Sequence, residues 1–129
     1  NPSDERLAIT RIEIIRIRPQ ITPDEKVDGL IEDPWLVHEC SADGEGCSFT
    51  FSDPEYSQGE RMATYYARAI QEPTERINAD NLRCTYDAEG NCLKVNMCYG
   101  DDRIAADDNC TRPVEERAWS SPIFVEYQN

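Results

Sequence analysis

The chain has one histidine, His38, and lacks the short motifs that build reactive centres from histidine, cysteine or glycine. It contains no CxxC pair, no HExxH, no glycine-rich phosphate loop and no dinucleotide fingerprint. Zinc sites and nucleophilic triads depend on such arrangements, because a metal needs several ligands and a nucleophile needs an oriented base. The sequence therefore predicts no catalytic residue and no cofactor-binding residue, and it favours a packing or surface role for His38.

Positive charge is also scarce, with 13 Lys and Arg against 26 Asp and Glu and a net charge of −13. A surface of this sign repels the phosphates of nucleic acids and anionic lipids. No apolar run approaches the roughly 18 residues of a membrane span. We expect neither nucleic-acid binding nor membrane insertion. The chain has no initiator methionine and no signal-like start, so we expect a mature product or a piece of a longer protein.

Cysteine, by contrast, is plentiful, and its even number predicts a disulfide framework. Sequence alone leaves the connectivity open, but short separations favour local pairs. Structural disulfides form in oxidising compartments, so we expect the chain to be periplasmic or extracellular. The favoured pairs are Cys40 with Cys47, Cys84 with Cys92, and Cys98 with Cys110.

Apolar residues alternate with a period of two, the pattern of strands, in residues 7–19, 61–70 and 118–127 and around the turn at 87–91. At Ile14 and Ile15 the phase changes, which indicates a bulge or burial on both faces. The charged residues of this first strand predict a solvated face; they are Arg11, Glu13, Arg16 and Arg18.

Helical signals are confined to single turns, after Thr22 and after Asp53. Cys47, Phe49 and Phe51 alternate behind a glycine-rich turn and predict a further hairpin. The pattern as a whole predicts a mainly β, antiparallel β-sandwich of the immunoglobulin or fibronectin kind, with disulfide-stapled hairpins and one domain over residues 1–129.

Acidic side chains near the third and fourth cysteines are the candidate metal ligands. Asp87, Glu89 and Asn91 stand at alternate positions, as at the start of a calcium loop. The twelfth position of such a loop would be Cys98 instead of a bidentate glutamate, so the pattern is incomplete. Asp101 and Asp102 are further candidates for supplying oxygen ligands.

Several longer stretches together resemble one family. They are DPW at 33–35, DPEYSQGERMATYYARAIQEPT at 53–74, the CxYDxxGxC hairpin at 84–92 and ERAWSSPIFV at 116–125. The chain from about Thr10 to Tyr127 resembles the C-terminal region of exported bacterial proteins whose N-terminal part is similar to the PHP (polymerase and histidinol phosphatase) metal-dependent phosphoesterases.

This resemblance implies a non-catalytic accessory domain that packs on, or positions, an upstream catalytic domain of the same polypeptide. Divalent metals are then expected only in that upstream metallohydrolase domain, and none of its ligand motifs occurs here. Exposed apolar groups around Trp35 or Trp119 would mark the packing surface, and a homodimer through it is a further expectation. The alternative is an extracellular module that binds calcium or carbohydrate through its acidic loops and through Tyr65 and Tyr66.

Overall fold

The computed structural model describes residues 6–41, 46–59, 61–77, 83–99 and 103–127. Within these ranges the chain is mainly β with antiparallel pairing, as the sequence predicts. No helix in them is long and apolar enough to cross a membrane. The elements are β1 (Ile9–Ile17), β2 (Ile31–Glu39), α1 (Tyr56–Gly59), β3 (Ala63–Gln71), β4 (Thr74–Ile77), β5 (Cys84–Tyr86), β6 (Cys92–Val95), β7 (Thr111–Val114), β8 (Arg117–Trp119) and β9 (Ile123–Val125).

The chain divides into two compact units, the first formed by Asn1–Glu72 with Arg117–Asn129 and the second by Pro73–Glu116. The first unit holds a five-stranded sheet in the order β2-β1-β3-β8, with β9 also paired to β3. The second unit holds two small sheets, β4-β7 and β5-β6. The immunoglobulin-like sandwich and the single domain both stay predictions.

Strand β1 is buried on both faces, because Ile14 is 4% exposed and Ile15 is not exposed at all. The pairing with β3 is regular here, whereas the pairing with β2 shifts register between Ile14 and Arg16. The extra residues lie in β2, where 33–35 stand opposite Ile15. The phase change therefore reflects burial on both faces, and the irregularity belongs to the neighbouring strand.

The last strand of the sheet is interrupted. Residues 118–127 were expected to form one strand, but they form β8 and β9 with a break between them. In the break the backbone N–H of Ser120 donates to the carbonyl of Ala67 at 2.9 Å, and the Ser120 hydroxyl accepts from the N–H of Ala67, also at 2.9 Å. Pro122 has no N–H with which to continue the ladder, so the pairing resumes at Ile123.

Aromatic side chains from residues 47–56 cover one face of this sheet. Phe49 stacks on His38 with ring centroids 4.3 Å apart, and Phe51 meets Trp35 edge-on at 5.7 Å. His38 is thus a packing residue. The hairpin strand expected at Cys47–Phe51 is wrong, because these residues make ring contacts with the sheet and form no strand of their own. Buried Ile14, Ala63 and Tyr65 form the centre of this core.

The cysteines pair as the short separations favour. Cys40 bonds Cys47, Cys84 bonds Cys92 and Cys98 bonds Cys110, with Cα atoms 5.5, 5.4 and 5.7 Å apart. The second bridge closes the β5-β6 hairpin and the third ties residues after β6 to the start of β7. These bridges hold segments that have few buried apolar side chains.

Candidate functional site

Arg16 is the centre of a buried ion cluster on the core side of the sheet. Its side chain is 2% exposed, and its Nε and Nη2 donate to the two oxygens of Glu32 at 2.7 and 3.0 Å. Nη1 donates to Asp53 at 2.8 Å and Nη2 to Glu55 at 2.8 Å. The guanidinium also lies over the ring of Trp35, 4.6 Å from its centroid.

The solvated face predicted for β1 is therefore wrong at Arg16. Because side chains alternate along a strand, Arg16 lies on the same face as Ile12 and Ile14, which is the core face. The phase of Ile12 and Ile14 was the signal in the sequence that could have located it. Three carboxylates from β2 and residues 53–55 make its burial tolerable.

The pKa values of Arg16, Asp53 and Tyr65 are shifted in the directions that favour their ordinary protonation states. Burial opposes the charge of Arg16, yet hydrogen bonds to the three carboxylates raise its pKa. Burial likewise opposes ionisation of Asp53, but hydrogen bonds from Tyr65 and Arg16 lower its pKa. Burial and the bond to Asp53 raise the pKa of Tyr65. Proton-transfer catalysis favours a pKa near the working pH. The cluster thus matches a structural tie between strands and loop.

The other face of the same sheet carries exposed apolar side chains at both of its edges. Directly paired residues of antiparallel strands project to the same side, so the strand registers define cross-sheet rows. The rows are Ile31-Ile17-Thr64-Phe124 and Val37-Glu13-Arg68-Trp119.

The ends of both rows are open to solvent. Ile31 is 61% exposed, Val37 46%, Trp119 60% and Phe124 68%. We call these four residues the Trp119 face. Of the two tryptophans considered in the sequence, Trp119 is exposed at the edge of the sheet, whereas Trp35 is half-buried in the core. Ile31 and Val37 could not be identified as exposed from the sequence, because each directly follows another apolar residue, Leu30 or Leu36.

Between these apolar ends lies a charged ladder that is paired within itself. Arg68 donates to Glu13 at 2.7 Å and to Asp33 at 2.6 Å, and Arg11 donates to the second oxygen of Glu13 at 2.8 Å. Burial opposes ionisation of Glu13, but both arginines lower its pKa. At 8% exposure Glu13 is a second exception to the expected solvated face. The ladder's charges are neutralised locally, which leaves the apolar ends as the part able to gain from contact with another surface.

The calcium candidates of the β5-β6 turn are used in closing that turn. One oxygen of Asp87 accepts from the backbone N–H groups of Glu89 and Asn91 at 3.0 and 2.8 Å, and the other accepts from the Asn91 side chain at 3.0 Å. The side-chain and backbone bonds from Asn91 lower the pKa of Asp87. Asp101 and Asp102 lie outside the described residues.

No group of three or more His, Cys, Asp or Glu suited to a metal occurs in the described part of the chain. Calcium binding stays a prediction. The adjacent tyrosines do not form a stacking platform, because Tyr65 is 8% exposed and donates to Asp53 at 2.6 Å while Tyr66 lies on the opposite side of the strand.

Comparison with known proteins finds no family model, no curated protein and no solved structure that matches the chain.

Proposed function

We propose that this chain is a non-catalytic accessory domain that docks through the Trp119 face on an upstream domain of the same polypeptide. The upstream domain is a PHP-like metallohydrolase, which holds the divalent metals and performs the chemistry. The pair works in the periplasm or outside the cell, where the three disulfides persist.

The observation that carries the proposal is the placement of four large apolar side chains on one sheet face, each close to half exposed or more. Apolar residues left uncovered on one face are a mark of protein interaction sites. Tryptophan in particular is enriched among residues whose truncation weakens binding strongly. An apolar surface on the partner would cover these side chains without disturbing the internally paired ladder between them.

The distribution of charge also supports a docking role over a catalytic one. Among the described residues of the first unit, the buried charged side chains lie in two clusters, around Arg16 and around Glu13, and each cation there faces carboxylates. The pKa values of Arg16, Asp53 and Glu13 are displaced away from neutrality, which suits ion pairs that hold strands together.

The first experiment is to read the coding sequence before Asn1, express the upstream domain separately and measure its association with this chain by calorimetry. We expect saturable binding that Trp119→Ser or Phe124→Ser weakens at least about tenfold, as for residues at the centre of interfaces. Ile21→Ser is the matched control, because Ile21 is 63% exposed but lies outside the strands.

Two results would contradict the proposal. One is a gene with no PHP-like domain before Asn1. The other is binding that Trp119→Ser and Ile21→Ser weaken equally, since this would place the contact elsewhere. The alternative is that a second copy of the chain occupies this face, and sedimentation of the chain alone tests it. A dimer that Trp119→Ser dissociates would show that the partner is a second copy.

A further inference from the structure

The described residues that line a pocket of about 370 Å³ in the second unit carry a net positive charge, opposite to that of the whole chain. Four of the 13 basic residues line it, and among the described residues around it Asp108 is the one carboxylate. The chain as a whole has twice as many acidic as basic residues. The basic residues are Arg83, Lys94, Arg103 and Arg112.

Arg83 is the buried member of this group, with 5% exposure. Its Nη2 pairs with Asp108, but its Nε has no hydrogen-bond partner among the described residues. A buried donor without a partner is costly, and native structures seldom leave one. Its backbone φ of 61° is in the left-handed region, which is uncommon for a residue with a Cβ and tends to occur at functional sites. Arg83 lines the pocket, so an anion that enters it lies beside this incompletely bonded guanidinium.

Asp108 does not neutralise the pocket. Hydrogen bonds from Arg83 and from the backbone N–H of Cys110 lower its pKa, and the charge of Arg112 lowers it further. One carboxylate thus faces at least two arginines. The guanidinium of Arg103 lies 3.8 Å from the ring centroid of Tyr99, which also lines the pocket. The Cys98–Cys110 disulfide joins the two ends of the segment that carries Tyr99, Arg103 and Asp108.

We propose that this pocket binds a tetrahedral oxyanion, the phosphate or sulfate group of a small molecule. Guanidinium groups present paired N–H donors in a geometry that matches such oxyanions, and lysine adds a compact charge. Long polyanions are excluded as ligands, because the net charge of −13 repels them while the pocket attracts a single group. The pocket belongs to the second unit and the Trp119 face to the first, and this proposal does not depend on the docking proposal.

The test is a titration of the full chain with inorganic phosphate, inorganic sulfate and acetate at constant ionic strength, followed by calorimetry and by amide chemical shifts. We expect saturable binding of phosphate or sulfate, with the largest shifts around the pocket residues. The anion that binds more tightly identifies the class of the natural group.

The site variant combines Arg112→Gln with Lys94→Gln. Both side chains are exposed, so replacing them leaves the buried pair of Arg83 with Asp108 in place. It should weaken binding by about tenfold or more while the urea midpoint stays unchanged. Arg76→Gln is the control, since Arg76 belongs to the same unit, pairs with Glu116 and does not line the pocket.

Three results would overturn the proposal. The first is the absence of saturable binding of either tetrahedral anion to the unmodified chain. The second is equal affinity for acetate, which would indicate only a diffuse attraction for anions. The third is equal weakening by the site variant and by Arg76→Gln.

Discussion

Replacement of Arg16 by methionine tests whether the buried ion cluster holds the first unit together. Methionine keeps most of the apolar length of arginine but removes the charge and the guanidinium that lies over Trp35. Asp53, whose side chain is 7% exposed, is then left as a buried carboxylate without its cation. Breaking a buried ion pair on one side costs about 3–5 kcal/mol. The free energy of unfolding of a small domain is about 5–15 kcal/mol in total, so the variant should be only marginally stable.

The assay is urea denaturation with the disulfides intact, which gives the free energy of unfolding from the midpoint and slope. Glu55→Gln is the matched control, because Glu55 bonds the same guanidinium but is 63% exposed. Exposed pairs contribute less than about 1 kcal/mol, so this variant should be nearly as stable as the parent. Adding Asp53→Asn to Arg16→Met should recover part of the loss, since no buried charge is then unpaired.

The same cluster determines how the free energy of unfolding depends on pH. The pKa of Asp53 is lower in the folded chain than in the unfolded chain. Its contribution to stability is therefore present above its unfolded pKa of about 3.9 and is lost as pH falls through the folded value. Arg16→Met removes one cause of the lowering, so the variant should lose less stability than the parent on acidification. An Arg16→Met variant within about 1 kcal/mol of the parent at neutral pH, with an unchanged acid profile, would refute the reasoning.

Two smaller changes test other parts of the structure. Ser120→Ala removes the hydroxyl that accepts from Ala67 and should cost up to about 1 kcal/mol in urea denaturation, whereas Ser57→Ala on the exposed side of α1 should be neutral; equal effects would argue against the bond. Millimolar calcium should leave the melting temperature unchanged, because both oxygens of Asp87 already accept hydrogen bonds within the turn; a rise of several degrees would instead favour the calcium-binding alternative.

Local features of the fold could be predicted because they depend on near neighbours in the sequence. The β5-β6 hairpin follows from alternation around a turn, and its Cys84–Cys92 bridge follows from short separation. The central position of β3 agrees with alternating Ala and Tyr residues on one face of residues 63–70, where Ala63 and Tyr65 are buried.

The burial of Arg16 could not be predicted from its neighbours alone, because its partners arrive from 16 to 39 positions along the chain. The charged face of a strand with charges at alternate positions usually faces water. Arg16 is buried instead because Glu32, Asp53 and Glu55, which are distant in the sequence, bind its guanidinium. The same holds for the pocket of the second unit, since Arg83 and Arg112 become neighbours only after that unit has folded.

The interrupted edge of the main sheet affects whether the chain, with the exposed apolar side chains of the Trp119 face, would polymerise. An exposed edge strand offers unpaired backbone groups that recruit further strands, and natural proteins limit this by keeping edges short or interrupted. Here Ser120 and Pro122 divide the edge into two pieces of three residues each, β8 and β9. Under the proposed docking, recognition at this edge depends on side chains, which can discriminate between partners, and not on backbone groups, which cannot.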